Sequence, residues 1–183
     1  MRCFISIDVD DSLVGRISEI QERIKKLDVD VKFVEPENLH FTINFLGDMN
    51  KDGINSVKKS LDFLKYEHEF KISIFGIGYF GSQNRVRTLW LGVKDGEDEL
   101  IKLMKNVNDN VKFGEKIFSP HLTIGRVKSD INKGILLGFI DECRNVNTGE
   151  MHVKTVKLKM SSLTGYGPIY SDISVFKLGQ VTK

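Results

Sequence analysis

The side chains best suited to proton transfer in this sequence are two histidines in matching surroundings. Leu39-His40-Phe41-Thr42-Ile43-Asn44-Phe45-Leu46-Gly47 and Pro120-His121-Leu122-Thr123-Ile124-Gly125-Arg126-Val127 each carry His-x-Thr-Ile, and they lie just under half the chain apart. The chain has four histidines, so this one pattern accounts for half of them. Imidazole titrates near neutrality, so two of them can be held in opposite protonation states. The neutral one takes a proton from an attacking water and the protonated one gives a proton to the leaving oxygen, each worth about 10²–10⁴-fold in rate. The threonine hydroxyls can donate to non-bridging oxygens, where negative charge builds up. This set suits hydrolysis of a phosphodiester. A lone His-x-Thr on a strand is more often a buried imidazole bonded to a neighbouring hydroxyl. Two copies with the same apolar flanks favour chemistry.

Strands send alternate side chains to opposite faces. Regular alternation puts His40, Thr42 and Asn44 on one face of the first motif, with Phe41, Ile43 and Phe45 on the other. In the second motif His121 and Thr123 oppose Leu122 and Ile124. The polar faces can look into a groove while the apolar faces pack on helices. Alternation also puts Arg126 opposite His121, unless a bulge at Gly125 re-aims it.

The positioning elements follow from periodicity. Phe4 to Val9 alternates as a strand. Asp10-Asp11-Ser12 offers helix caps, and Leu13, Ile17, Ile20, Ile24 and Leu27 form one buried stripe. Val31 to Val34 is extended, Pro36 marks a turn, and the first motif strand ends at Gly47-Asp48. Ile54, Val57, Leu61 and Leu64 make a second helical stripe, and Phe70, Ile72 and Ile74 a strand. Arg87 to Val93 begins a second pass: Asp95-Gly96 caps a third helix using Leu100, Leu103, Met104, Val107 and Val111, and the second motif strand follows. A fourth helix uses Ile135, Leu136, Phe139, Ile140 and Cys143. Two strands, around Val153–Leu163 and Asp172–Leu178, close the chain. The expected fold is α+β: one two-lobed domain over residues 1–183, with duplicated β-α-β-α-β units at 1–86 and 87–183. Mainly antiparallel sheets, an approximate two-fold and a cleft between the lobes complete it.

Composition excludes several classes. The apolar fraction of 40% and charged fraction of 28% are those of a globular protein. No apolar run approaches the ~20 residues that span a bilayer. A formal net charge of +2 is too mild for a protein that coats nucleic acid by bulk electrostatics. Met1 to Asp8 reads as a first strand rather than a signal peptide, and the chain as cytoplasmic. Cys3 and Cys143 read as buried, reduced thiols. No metal-ligand spacing occurs and no carboxylate cluster accompanies the motifs, so neither metal nor other cofactor is expected. Gly76-x-Gly78-x-x-Gly81 matches a dinucleotide-binding fingerprint, but Ser82-Gln83-Asn84-Arg85 leads into a strand, leaving no helix N-terminus to hold a pyrophosphate. His68 and His152 lack the motif context.

The pair His40-x-Thr42 and His121-x-Thr123 resembles the signature of the two-histidine phosphoesterases. The fuller strings, with Arg2-Cys3-Phe4-Ile5-Ser6-Ile7-Asp8, resemble the branch first named 2'-5' RNA ligases and now described as RNA 2',3'-cyclic phosphodiesterases. The likeness spans nearly the whole chain. It implies a bilobal fold with a motif on each side of the cleft, and hydrolysis of RNA 2',3'-cyclic phosphate ends to a 2'-phosphate. It implies His40 as proton donor, His121 as proton acceptor and Arg126 as a phosphate ligand. Reverse 2'-5' joining is open to the same site by microscopic reversibility. Partners are then RNA ends or small cyclic nucleotides, with Phe118, Phe80 and Tyr166 available to stack on a terminal base. An ADP-ribose cyclic phosphate as substrate, or a silent RNA-end binding module, are the alternatives. A monomer is expected, because the duplication already supplies a two-fold.

Overall fold

Each motif lies on a strand that pairs with a β-branched neighbour on one side and meets the other motif strand on its far side. The computed structural model describes residues 1–165 and 167–179. The first half runs β1 (Arg2–Asp8), α1 (Asp11–Lys25), β2 (Val31–Phe33), β3 (His40–Asp48), α2 (Lys51–Ser60) and β4 (Phe70–Ser82). The second runs β5 (Arg85–Val93), α3 (Glu97–Asn110), β6 (Glu115–Lys116), β7 (Leu122–Val127), α4 (Lys133–Glu142), β8 (Asn147–Val153), β9 (Thr155–Leu163) and β10 (Pro168–Lys177). The fold is α+β.

The strands order as β10-β9-β1-β3-β7-β5-β4-β8, with β2 added to β7 and β6 to β3. Every pairing between these strands is antiparallel. Outward from the centre, β3-β1-β9-β10 and β7-β5-β4-β8 correspond strand for strand, which is an approximate two-fold. The two wings meet where Phe41 pairs with Leu122. Both side chains are fully buried, so they pin the junction.

Helices cross over between the halves. α1 packs against β7 and β8, and α3 against β3 and β4. Each therefore backs the motif strand of the other half. The stripe of α1 is the predicted one, with Leu13, Ile17, Ile20 and Ile24 buried and the Asp10 side chain capping through the Ser12 amide at 2.9 Å. Removing such a cap costs about 1 kcal/mol.

Three local expectations are corrected. The closing segment holds three strands, not two: β8 precedes the expected pair, which are β9 and β10, and the chain passes from one wing to the other between Val153 and Thr155. Asp95 does not cap α3. It accepts from the Ser73 hydroxyl at 2.8 Å, and the N-cap is Gly96 alone, whose φ of 76° suits glycine. Ile135 is on the exposed side of α4 rather than in its buried stripe.

The glycines of the dinucleotide-like string serve the sheet. Gly78 lies under the Trp90 indole, where a Cβ would collide with the ring. Gly76 and Gly81 have positive φ at the irregularities in the β4–β5 hairpin.

Candidate active site

A one-residue insertion in each motif strand aims the cleft side chains. On β3, Ile5 pairs with Asn44 and Ser6 with Thr42, leaving Ile43 extra. On β7, Leu89 pairs with Gly125 and Trp90 with Thr123, leaving Ile124 extra. A β-bulge turns two successive residues to one side and resets the alternation beyond them. Ile43 with Asn44, and Ile124 with Gly125, are all buried on the helix side. Asn44 therefore leaves the His40 and Thr42 face, and Phe45 joins it, with 44% of its surface exposed. Arg126 turns the same way as His121 and Thr123, by the re-aiming that Gly125 permits.

Buried amides hold both bulges. Gln21 on α1 donates to Ile124 O and Val34 O, each at 2.9 Å. Asn108 on α3 donates to Ile43 O at 3.3 Å and Ile117 O at 2.8 Å, and accepts from Asn44 at 3.0 Å. A side chain at Gly125 would press on Val31 at 2.7 Å.

The two imidazoles are anchored alike. His40 Nδ1 lies 2.6 Å from Asn38 O and His121 Nδ1 lies 2.9 Å from Ser119 O, in each case the carbonyl two residues upstream. A carbonyl only accepts, so each Nδ1 carries the hydrogen and each Nε2 is left for the cleft. The Phe41–Leu122 pairing puts His40 across from Thr123 and Thr42 across from His121. The histidines are then diagonal neighbours, one step to either side of that pair, and close enough for His121 to act on His40 electrostatically.

Burial pushes both imidazoles below their ordinary value. For His40 the Asn38 carbonyl and the Asp8 carboxylate oppose that push, while Lys159 and His121 add to it. For His121 the Ser119 carbonyl opposes it. The repulsion between the two rings favours one proton shared between them over two.

An aromatic shell surrounds the pair. His40 stands edge-on to Tyr170 at 5.4 Å between centroids and 5.0 Å from Phe4. His121 stands edge-on to Phe80 at 4.8 Å. Phe80 in turn meets Trp90 at 5.6 Å. Burial raises the Tyr170 phenol and the Arg126 guanidinium pulls it back down, so Arg126 and Tyr170 share one end of the cleft. Ser6 Oγ and Trp90 Nε1, on the residues paired with Thr42 and Thr123, are enclosed and have no hydrogen-bond partner among the described residues.

Of the predicted residues, His40, Thr42, His121, Thr123 and Arg126 come together. Phe118 is exposed in the connection before β7. Tyr166 lies outside the described residues. His68 and His152 are elsewhere: one bridges to Gly179 and the other pairs with Lys71 on β4. Sequence reasoning passed over Phe4 and Asp8, whose even positions on the first strand carry the signal, and Phe45 and Tyr170. Among the described residues, no group of three or more His, Cys, Asp or Glu side chains could hold a metal ion. No helix among them is long and apolar enough to cross a membrane.

Comparison with known proteins gives a consistent result. Residues 7–90 match the family model described as LigT like phosphoesterase. The chain is 42% identical to a Methanothermobacter thermautotrophicus protein named RNA 2',3'-cyclic phosphodiesterase, over 97% of this chain and 99% of the relative. An Archaeoglobus fulgidus protein of the same name is 37% identical, over 97% of this chain and 100% of that one. The fold matches the crystal structure of TT0787 of Thermus thermophilus with a TM-score of 0.80 at 22% identity, over 100% of both chains.

Proposed function

We propose that this chain, which belongs to the LigT-like phosphoesterases, hydrolyses the 2',3'-cyclic phosphate at RNA ends to a 2'-phosphate with two histidines as acid and base. The observation that carries the reading is the shared anchoring of His40 and His121. Both present Nε2 to one cleft from strands that meet at Phe41 and Leu122. The names of the relatives at 42% and 37% identity support the substrate class.

In this mechanism His121 Nε2 accepts a proton from water as the water oxygen attacks phosphorus in line with the 3' oxygen. The P–O3' bond breaks, and His40 Nε2–H supplies the proton to O3'. The products are a 2'-phosphate and a free 3' hydroxyl. Proton transfer of this kind is worth about 10²–10⁴-fold per group. The Thr42 and Thr123 hydroxyls and the Arg126 guanidinium donate to the non-bridging oxygens, whose charge grows in the transition state. With a 5' hydroxyl in place of water, the same site would join it to the cyclic end through a 2'-5' bond.

Phe80, Phe118 and Phe45 offer exposed ring surface for a terminal base, at 42%, 51% and 44% exposure. Stacking of this kind tolerates any base, because each has a π face. The enzyme would act as a monomer in the cytoplasm. One chain supplies both imidazoles, and Cys3 and Cys143 are free thiols. The test is hydrolysis of an oligonucleotide ending in a 2',3'-cyclic phosphate, in EDTA. A 2'-phosphate product is expected. A 3'-phosphate product or no turnover would overturn the reading.

A further inference from the structure

The two halves differ at one position beside the histidines. On β1, Asp8 pairs with His40. The corresponding strand in the other wing is β5, where Ser6 matches Trp90 and Ile7 matches Leu91, by their pairings with the two motif strands. Asp8 then corresponds to Gly92, which has no side chain. His40 thus has a carboxylate as its cross-strand neighbour, and His121 has none.

That carboxylate is fixed in place. Asp8 Oδ2 accepts from Lys157 Nζ and Lys159 Nζ, both at 2.8 Å. The same two lysines reach Asp172 at 2.8 and 3.3 Å. Lys159 is buried, at 6% exposure. The four charges cancel as a set, but they are not equidistant from the imidazole. Asp8 Oδ1 is enclosed and has no partner among the described residues. Burying such ion pairs costs desolvation that their attraction offsets only in good geometry, and two lysines serving two carboxylates on a cleft wall suit a device that orders one carboxylate better than one that holds a fold.

We propose that Asp8 is a positioning residue for the acid step: clamped by Lys157 and Lys159, it holds the proton on His40 and so makes the two otherwise matched histidines unequal. This rests on the cleft being the phosphodiesterase site. The charged groups that act on His40 are Asp8 from β1, Lys159 from β9 and His121 from β7; Lys157 from β9 and Asp172 from β10 complete the clamp, and Arg126 from β7 acts on the neighbouring Tyr170. Tyr170 from β10 adds a neutral phenol. Asp8 is the cross-strand partner of His40 in the sheet register, and its attraction for imidazolium exceeds the repulsion from Lys159. Without it, burial leaves His40 neutral at a pH where the leaving oxygen needs a proton.

The test is a proton NMR titration of the His40 and His121 ring signals in three proteins: the parent chain, Asp8→Asn and Lys159→Met. Loss of the carboxylate should move the His40 midpoint to lower pH, and loss of the ammonium should move it to higher pH. The His121 midpoint should move less than that of His40, and only through the repulsion between the two rings. A loosened strand would shift both variants in one direction, so opposite shifts separate an electrostatic role from a structural one. The pH-rate profile of Asp8→Asn should lose its alkaline side first, with about tenfold lower kcat at neutral pH and little change in KM. An unmoved His40 midpoint in Asp8→Asn, or parallel shifts in the two variants, would overturn the proposal. If the parent chain fails to hydrolyse the cyclic end, the reading of the site falls instead, while the titration still reports on Asp8.

Discussion

Gln21 and Asn108 are counterparts: each reaches from a helix of one half to the bulge carbonyl of the other half's motif strand, at Ile124 O and Ile43 O. The bulges set which side chains enter the cleft, so these amides connect helix packing to the site. Replacing Gln21 by Leu takes the side-chain donor from Val34 O, which is part-buried, and from the buried Ile124 O, which keeps the Val34 amide. The expected cost is about 1 kcal/mol, the net worth of an ordinary hydrogen bond. Asn108→Leu should cost more, because Asn44 also loses its acceptor. Urea unfolding midpoints measure both, and unchanged midpoints would mean that the bulges hold themselves.

Arg126 tests the re-aimed alternation directly. Arg126→Gln should raise KM and lower kcat/KM by about tenfold or more, since a guanidinium donates to two phosphate oxygens at once. Arg126→Lys should recover only part of this, because an ammonium lacks the fork. Steady-state kinetics on a cyclic-phosphate oligonucleotide give the answer. Parent-like values for Arg126→Gln would place that side chain outside the reaction.

The pH dependence follows from burial. Both imidazoles sit below their ordinary value of 6.5, so the free enzyme loses the His40 proton at lower pH than free imidazole would. The profile of kcat/KM should be bell-shaped with its maximum on the acid side of pH 6.5. Stability has a matching sign. The unfolded chain binds protons on these histidines at higher pH than the folded chain does, so stability is fully present above pH 6.5 and is lost as pH falls through the depressed folded values. Urea midpoints at pH 7.5 and 5.5 should fall in that order, and an alkaline rate optimum would contradict the desolvated geometry.

Gly78 makes room for Trp90, which stands beside Thr123 on β7. Gly78→Ala would drive a methyl into the indole, and overpacking of this kind costs about 1–3 kcal/mol. Lower thermal stability is expected, with a change in the environment of the chain's one tryptophan seen by fluorescence. An unchanged spectrum and melting temperature would contradict the packing.

The residues of the paired motif were legible because their signal is a repeat: His40, Thr42, His121 and Thr123 can be found without knowing where the strands bend. The side chains just beyond were not. A bulge leaves no mark in a hydrophobic pattern except one lost beat, and Ile43-Asn44 reads as ordinary alternation. In the second motif Gly125 carried the warning, and Arg126 turned accordingly. β8 was hidden because Asn147-Thr148-Gly149-Glu150 reads as a polar loop, and only Met151 and Val153 at its end show an apolar alternation. Tyr170 and Asp8 belong to the site through sheet pairing, and no local spacing records which strands become neighbours.

The most direct measurement is single-turnover cleavage of an oligonucleotide with a 2',3'-cyclic phosphate end, in EDTA, by the parent chain and by His40→Ala and His121→Ala. Phosphorus NMR identifies the product. The parent should give the 2'-phosphate, and each variant should lose at least about 10²-fold in rate. Full activity in either variant, or the same rate in both variants and the parent, would contradict an acid–base pair built from the two motif histidines.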